Sequence, residues 1–231
     1  MDFAEWEPVY ERILADFGYD RAADEDARDL LAATVGSETY DPDRLALAGE
    51  TVAIAGAGPS LPAARHRVRE ADVVVAASTA ADTVREAGLA VDCMVTDLDK
   101  NPGTARDLTR EGTPVAVHAH GDNVGAVRTV VPTLVESAVV PTTQAEPVAG
   151  TWNLGGFTDG DRAAFLADHL GAGELVFPGW DFDDPAVDRE KRRKLAWAER
   201  LLYWLERRRE DSFAVLDGRR DAIDTAALPV D

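Results

Sequence analysis

Val91-Asp92-Cys93-Met94-Val95-Thr96-Asp97-Leu98-Asp99-Lys100-Asn101 is the stretch that decides how the chain is read. Cys93-Met94-Val95 is a short apolar run, the pattern of a strand buried on both faces. It leads directly into two aspartates one residue apart, then Lys100, Asn101 and Pro102. Open α/β sheets bind ligands at the carboxyl ends of their strands. Two carboxylates there repel each other unless a cation lies between them. Mg²⁺ takes oxygen ligands and bridges to phosphates. The competing reading is a solvated acidic loop, and the remaining motifs bear on the choice.

Outward from this stretch the pattern alternates. Strand-like runs cover Thr51–Ala55, Val73–Ala77, Cys93–Thr96, Val115–Ala119, Ala138–Pro141 and Glu174–Phe177. Helix-like stretches cover Pro62–Glu70, Ala80–Ala87, Thr104–Glu111, Val124–Val131 and Asp161–His169. Such alternation predicts an α/β fold: a six- or seven-stranded, mostly parallel sheet with helices on both faces. Thr151–Phe157 is read as a short strand and Ser212–Leu216 as a late one. A closing helix is expected from about Pro185 to Glu210, capped by Asp184, with Leu195, Ala198, Leu201, Leu202 and Leu205 buried. Residues 1–48 read as a helical N-terminal extension. Phe3, Trp6, Tyr10, Ile13, Leu14 and Phe17 recur at helical spacing, a second helix covers Asp24 to Thr34, and no residue there suggests chemistry. Residues 49–217 form the α/β domain, and 218–231 a polar, loosely held tail.

The composition narrows the partners. The 231 residues carry 24 Lys+Arg against 43 Asp+Glu, a net charge of −19. Only Lys100, Lys191 and Lys194 are lysines. This argues against nucleic acid or an anionic membrane as partner. It fits a high-salt cytoplasm, where screening relieves self-repulsion, so a halophilic source is expected. The single cysteine, Cys93, is read as a small buried hydrophobe in a reducing, cytoplasmic compartment. No apolar run approaches a membrane span. Asp2, Glu5 and Glu7 do not suit a signal peptide.

Further motifs fall at strand ends. Ala55-Gly56-Ala57-Gly58-Pro59-Ser60-Leu61 follows a strand and precedes a helix, where glycines admit a phosphate and helix N–H groups attract anions. It resembles a dinucleotide fingerprint, with Leu61 in place of the third small residue. That rival also needs an acid about 20 residues on, whereas the second strand ends in Ala76-Ala77-Ser78. The fourth strand ends in His118-Ala119-His120-Gly121-Asp122-Asn123. No third His or Cys stands nearby to complete a structural zinc site, so hydrogen bonds to phosphate or base suit the histidines better. Gly155-Gly156-Phe157-Thr158-Asp159-Gly160-Asp161-Arg162 opens a helix, capped by Thr158 or Asp159, with Asp159 and Asp161 turned to the same sheet edge. Of Lys191-Arg192-Arg193-Lys194, at most two can face one site, and the arginines are read as solvated.

Taken in order, these motifs resemble the archaeal 6-hydroxymethyl-7,8-dihydropterin pyrophosphokinase, or MptE-like, family over about residues 50–205. Its core is similar to the catalytic domain of thiamin pyrophosphokinase, where a Gly-Asp-Phe-Asp-Ser turn and a later Thr-Asp turn hold Mg²⁺ and ATP. The resemblance implies Mg²⁺-dependent transfer of diphosphate from ATP to a pterin hydroxymethyl group, with release of AMP. It implies catalytic roles for Asp97, Asp99, His120 and Asp122, and metal ligands among Asp97, Asp99, Asp122 and Asp159. Gly56, Gly58, Pro59, Ser60, His118, Asn123, Thr158 and Lys194 are the expected ATP contacts. A homodimer is compatible with it. Thr96 stands where thiamin pyrophosphokinase has glycine, and Ala77-Ser78-Thr79 replaces an Ala-Asp-Gly turn. A noncatalytic nucleotide-binding domain is the rival from another class.

Overall fold

The structure, a computed structural model, describes residues 1–230. Asp2 caps α1 (Phe3–Phe17), accepting from the Glu5 N–H at 2.9 Å, and Trp6, Val9, Tyr10, Ile13 and Leu14 form its buried face. Asp20 caps α2 (Arg21–Thr34), which therefore begins before Asp24, its expected start. The alternating part then gives β1 (Thr51–Ala55), α3 (Arg65–Glu70), β2 (Val73–Ala77), α4 (Ala80–Glu86), β3 (Cys93–Thr96), α5 (Pro102–Arg110), β4 (Val115–Ala119), α6 (Val124–Val130), β5 (Val139–Thr143), α7 (Asp159–His169), β6 (Glu174–Val176) and α8 (Arg189–Arg209).

Among the described residues the strands make one six-stranded sheet, wholly parallel, in the order β5-β4-β3-β2-β1-β6. From β1 to β5 the chain steps in one direction, then crosses the whole sheet to lay β6 beside β1. Right-handed crossovers put the helices of the forward steps on one face and that of the return on the other. The side chains follow. Val52, Ile54, Val75, Cys93 and Val95 pack with α1, α7 and α8. Ala53, Ala55, Val74, Ala76 and Met94 pack with α2 through α6. This alternation explains the continuous apolar runs, since both faces of each strand are covered. Burial pushes the Cys93 thiol up to about 12, as suits an inert core residue.

The register aligns the strand ends: Ala55 lies beside Ala76, Ala77 beside Val95, Thr96 beside Val117, and Ala119 beside Thr143. Every loop that leaves a carboxyl end therefore opens onto the same edge.

Four local expectations need correction. The last helix starts at Arg189, because Asp188 caps it by accepting from the Lys191 N–H at 2.7 Å, while Asp184 holds the Ala186 N–H in a separate turn. Ala214–Leu216 is a 3₁₀ turn instead of a strand: Phe213 plugs the core and its N–H is held by Glu206 at 2.6 Å. Thr151–Phe157 gives only an isolated bridge between Trp152 and Thr142. The tail is anchored, with Arg220 pairing Glu206 at 2.7 Å and Leu228 buried. No helix among the described residues is long and apolar enough to cross a membrane.

Candidate active site

The aligned carboxyl edge carries a cleft of about 320 Å³. Loops after each of the six strands reach it, and α7 and α8 close its far side. Its acidic centre is built at the end of β3. Thr96 Oγ1 accepts the Leu98 N–H at 2.9 Å, and Asp97 Oδ1 accepts the Asp99 N–H at 3.2 Å. Leu98 is left-handed, with φ 67°, and its side chain is buried in the α3–α6 layer. A leucine in this region is strained. That turn sends the Leu98 side chain into the core while Asp97 and Asp99 both line the cleft.

The two carboxyls titrate as a pair. Burial opposes ionisation of Asp97, but hydrogen bonding from His120 and Asp99 outweighs it, so Asp97 lies below the usual carboxylate range. Asp99 is raised, first by burial and then by its neighbour. Across the cleft Asp159 is pushed up to about 7, by burial first and by Asp97 second, against the opposing charge of Arg162. Arg162 pairs with Asp159 at 3.1 Å.

Cations complete the cleft. Lys100, Lys191 and Lys194, the chain's only lysines, all line it. Lys191 and Lys194 lie one helical turn apart on α8. Arg193 turns away, donating to the Asp16 carbonyl and covering the Phe17 ring. Two of the four consecutive cations thus face one site, as helical geometry requires.

The histidine turn divides its residues. His120 and Asp122 line the cleft. His120 Nδ1 accepts the Asp122 N–H at 3.3 Å, so Nε2 carries the proton and faces Asp97 Oδ2 at 3.4 Å. His118 and Asn123 do not reach the cleft surface. His118 is 2% exposed, and its Nδ1 meets Thr142 Oγ1 at 3.1 Å. Burial, then the charge of Arg162, holds it far below the usual histidine value. Asn123 is a brace: its amide donates to the carbonyls of His118 at 2.6 Å and Asp97 at 2.8 Å. Expected as ATP contacts, these two instead lie beneath the cleft surface in this structure.

The glycine turn also differs from its expected role. Gly56 and Gly58 line the cleft, whereas Pro59 and Ser60 do not. The N–H groups of Gly56, Gly58 and Ser60 are already taken, by Pro178 O, Gly179 O and Asp181 Oδ2, each at 2.9 Å. A methyl at Gly58 would lie 2.3 Å from Asp181 Oδ2. These glycines admit the loop after β6, and α3 begins only at Arg65, too far on to present its N-terminus here. With these N–H groups committed, the dinucleotide reading loses its phosphate cradle. At α7, Thr158 lines the cleft, but Asp161 turns back to hold the N–H groups of Phe157 and Thr158 and is fully buried. Of the two acids there, only Asp159 faces the cleft.

The donor set suits Mg²⁺. Among the described residues no three metal-competent side chains form a preformed cage, so Asp97, Asp99, Asp122 and Asp159 are not one coordination shell. Mg²⁺ is typically held by one or two carboxylates together with substrate phosphates and water. The Asp97–Asp99 pair, beside lysines that attract phosphate, matches that pattern.

Sequence reading missed Trp180, Tyr19 and Gln144. Trp180 lines the cleft, with its Nε1 donating to the Ile54 carbonyl at 2.8 Å. The Pro178-Gly179 turn after the last strand was a usable signal for it, because every such turn opens on the ligand edge. Tyr19 and Gln144 also line the cleft, from segments without a motif.

Comparison with known proteins shows the family. Residues 33–186 match the family model described as 6-hydroxymethylpterin diphosphokinase MptE-like. Over 225 residues the chain is 39% identical to the 6-hydroxymethyl-7,8-dihydropterin pyrophosphokinase of Methanothermobacter thermautotrophicus, covering 90% of this chain and 96% of that one. The proteins of the same name from Pyrococcus furiosus and Methanocaldococcus jannaschii are 38% and 32% identical, with 89% and 92% of this chain covered and 95% and 99% of theirs. Since the match runs through all the strand-end turns that build the cleft from β1 to β6, the chain is an enzyme of the MptE-like 6-hydroxymethylpterin diphosphokinase family.

Proposed function

We propose that the protein transfers diphosphate from ATP to 6-hydroxymethyl-7,8-dihydropterin in a Mg²⁺-dependent reaction of folate or methanopterin biosynthesis. The observation that carries this is the meeting of all three lysines with the Asp97–Asp99 pair in one cleft. In a chain of net charge −19, these local cations allow a polyanion to approach.

The acceptor's hydroxymethyl oxygen forms a bond to the β-phosphorus. The bond from that phosphorus to the oxygen bridging the α-phosphate breaks, and AMP leaves with the bridging oxygen. Bound Mg²⁺, held by Asp97 and Asp99, would offset the charge of the triphosphate. Lys191, Lys194 and Lys100 position the phosphates and neutralise the rest, so catalysis is mainly orientation and electrostatics. Asp122 is favoured over His120 as acceptor of the hydroxyl proton, because both ring nitrogens of His120 are engaged, by the Asp122 N–H and by Asp97. Trp180 and Tyr19 offer aromatic surface to a flat acceptor.

The test is AMP formation from ATP with hydroxymethyldihydropterin, with thiamin and with no acceptor, each with and without Mg²⁺. AMP should appear only with the pterin and Mg²⁺. Release of ADP and phosphate, or equal AMP without acceptor, would overturn the reading.

A further inference from the structure

We propose that Asp24, in the N-terminal helical layer, is a positioning residue of the active site; only the activity readout of this proposal rests on the diphosphokinase reading. Asp24 is 3% exposed. Its Oδ2 accepts from the Tyr10 hydroxyl at 2.8 Å and from Gln144 Nε2 at 2.7 Å. Its Oδ1 accepts from the Gly121 N–H at 2.8 Å. None of these donors is charged. A buried carboxylate without a cation is costly unless its hydrogen bonds are good. Packing alone would be served as well by a neutral residue.

The carboxylate supplies direction. It accepts only, so each of the three groups it holds must turn a hydrogen toward it. One arm runs to Gln144. The amide nitrogen must face Asp24, which leaves the carbonyl to accept from Arg162 Nη2 at 3.1 Å, and Arg162 Nη1 holds Asp159 at 3.1 Å. The other arm runs to Gly121, next to His120, whose Nε2 meets Asp97. A methyl at Gly121 would lie 2.8 Å from Ala23 Cβ, so α2 sits directly against this turn. Through two side chains and one backbone N–H, Asp24 thus orients groups that contact Asp97 and Asp159 on opposite sides of the cleft.

Asparagine cannot reproduce this pattern. If its oxygen keeps Gly121, its NH₂ meets the NH₂ of Gln144; if flipped, its NH₂ meets the Gly121 N–H. Tyr10→Phe is the matched control, because it removes one donor to the same carboxylate and leaves both arms.

The experiment compares wild type, Asp24→Asn and Tyr10→Phe by thermal melting, by hydrogen exchange at the Gly121 amide in metal-free protein, and by kcat and KM for AMP formation. Asp24→Asn should exchange Gly121 at least about tenfold faster. It should also lose at least about tenfold in kcat through misplacement of the reacting groups, with KM for the acceptor little changed. Tyr10→Phe should melt lower yet keep Gly121 protection and kcat. Unchanged Gly121 exchange or unchanged kcat in Asp24→Asn overturns the proposal, as does an equal loss of kcat in both variants. If Asp24→Asn fails to fold, Gln144→Met cuts only the Arg162 arm, and an unchanged kcat there overturns the proposal equally. If wild type forms no AMP with the pterin, the diphosphokinase reading fails, while Gly121 exchange still decides the role of Asp24.

Discussion

Gly58→Ala separates two reasons for a glycine at this turn. A glycine that admits phosphate predicts a variant with normal stability and weaker ATP binding. The structure predicts a loss of stability in the ligand-free protein. Gly58 is not in the left-handed region, so alanine adopts its backbone without strain. The added methyl, however, would lie 2.3 Å from Asp181 Oδ2 and 2.6 Å from Gly179 O. Ordinary contacts need about 3.4 Å or more, so both groups must retreat by close to an ångström. That breaks the bond from Ser60 N–H to the Asp181 carboxylate and the bond from Gly58 N–H to Gly179 O. A bond to a charged acceptor contributes about 1.5–3 kcal/mol and a neutral one about 0.5–1.5 kcal/mol, so the loss is about 3 kcal/mol. For a chain of this length that lowers Tm by about 6–12 °C. Differential scanning calorimetry without nucleotide measures it. Gly103→Ala, where an added methyl meets nothing within 4 Å, is the control and should leave Tm unchanged or slightly higher. A Gly58→Ala protein that melts within a degree of wild type but binds ATP poorly would refute the loop-contact account and restore the phosphate-loop reading.

Asp99→Asn should stay folded, melt no lower than wild type without Mg²⁺, and lose about a hundredfold in kcat; wild-type turnover with unchanged Mg²⁺ dependence would reduce the Asp97–Asp99 turn to a solvated loop. Melting temperature should rise from dilute buffer to molar KCl, as the Debye length shrinks from about 30 Å at 0.01 M to about 3 Å at 1 M; a flat profile would remove the argument for a halophilic origin. His118 sets a pH limit, because its folded pKa is depressed by burial and then by Arg162. Its neutral form contributes full stability above the unfolded value of about 6.5, and stability falls as pH drops below that. Urea unfolding of wild type should therefore lose up to about 1.4 kcal/mol per pH unit below about 6.5 relative to His118→Gln; parallel profiles would show that His118 does not remain neutral.

The sheet was legible because its strands are covered on both faces, which leaves short unbroken apolar runs such as Val73–Ala77 and Cys93–Thr96 between acidic or glycine-rich turns. The Asp97–Asp99 turn was legible because the carboxyl-edge rule depends only on the direction of a strand. Features fixed by distant partners were not. Asp24 is one acid among many in the sequence, and its meaning comes from Gln144 and Gly121, about a hundred residues away. The start of the last helix was misread because Asp184-Pro185 and Asp188 both satisfy local capping rules; the cleft wall decides, since Asp184 and Val187 line it and the helix begins only beyond them. The glycine turn looked like a phosphate cradle for the same reason. The partner that occupies its N–H groups lies about 120 residues later, in the return loop after β6.

The gathering of Lys100, Lys191 and Lys194 has a practical consequence for anyone who handles the protein. Arginine serves everywhere else on its surface, so the side-chain primary amines are confined to the substrate cleft. The α-amino group of Met1 is the one other amine; burial, then the charge of Arg208, lowers its pKa, which leaves more of it unprotonated and open to acylation. A lysine-specific protease therefore meets this molecule at its cleft, and an amine-acylating dye or an amine-coupled sensor chip meets it there and at Met1. Bound triphosphate should shield those amines, so the extent of acylation with and without nucleotide is itself an occupancy measurement. Attachment through lysine amines, routine for most proteins, would block the very cleft whose binding it was meant to report.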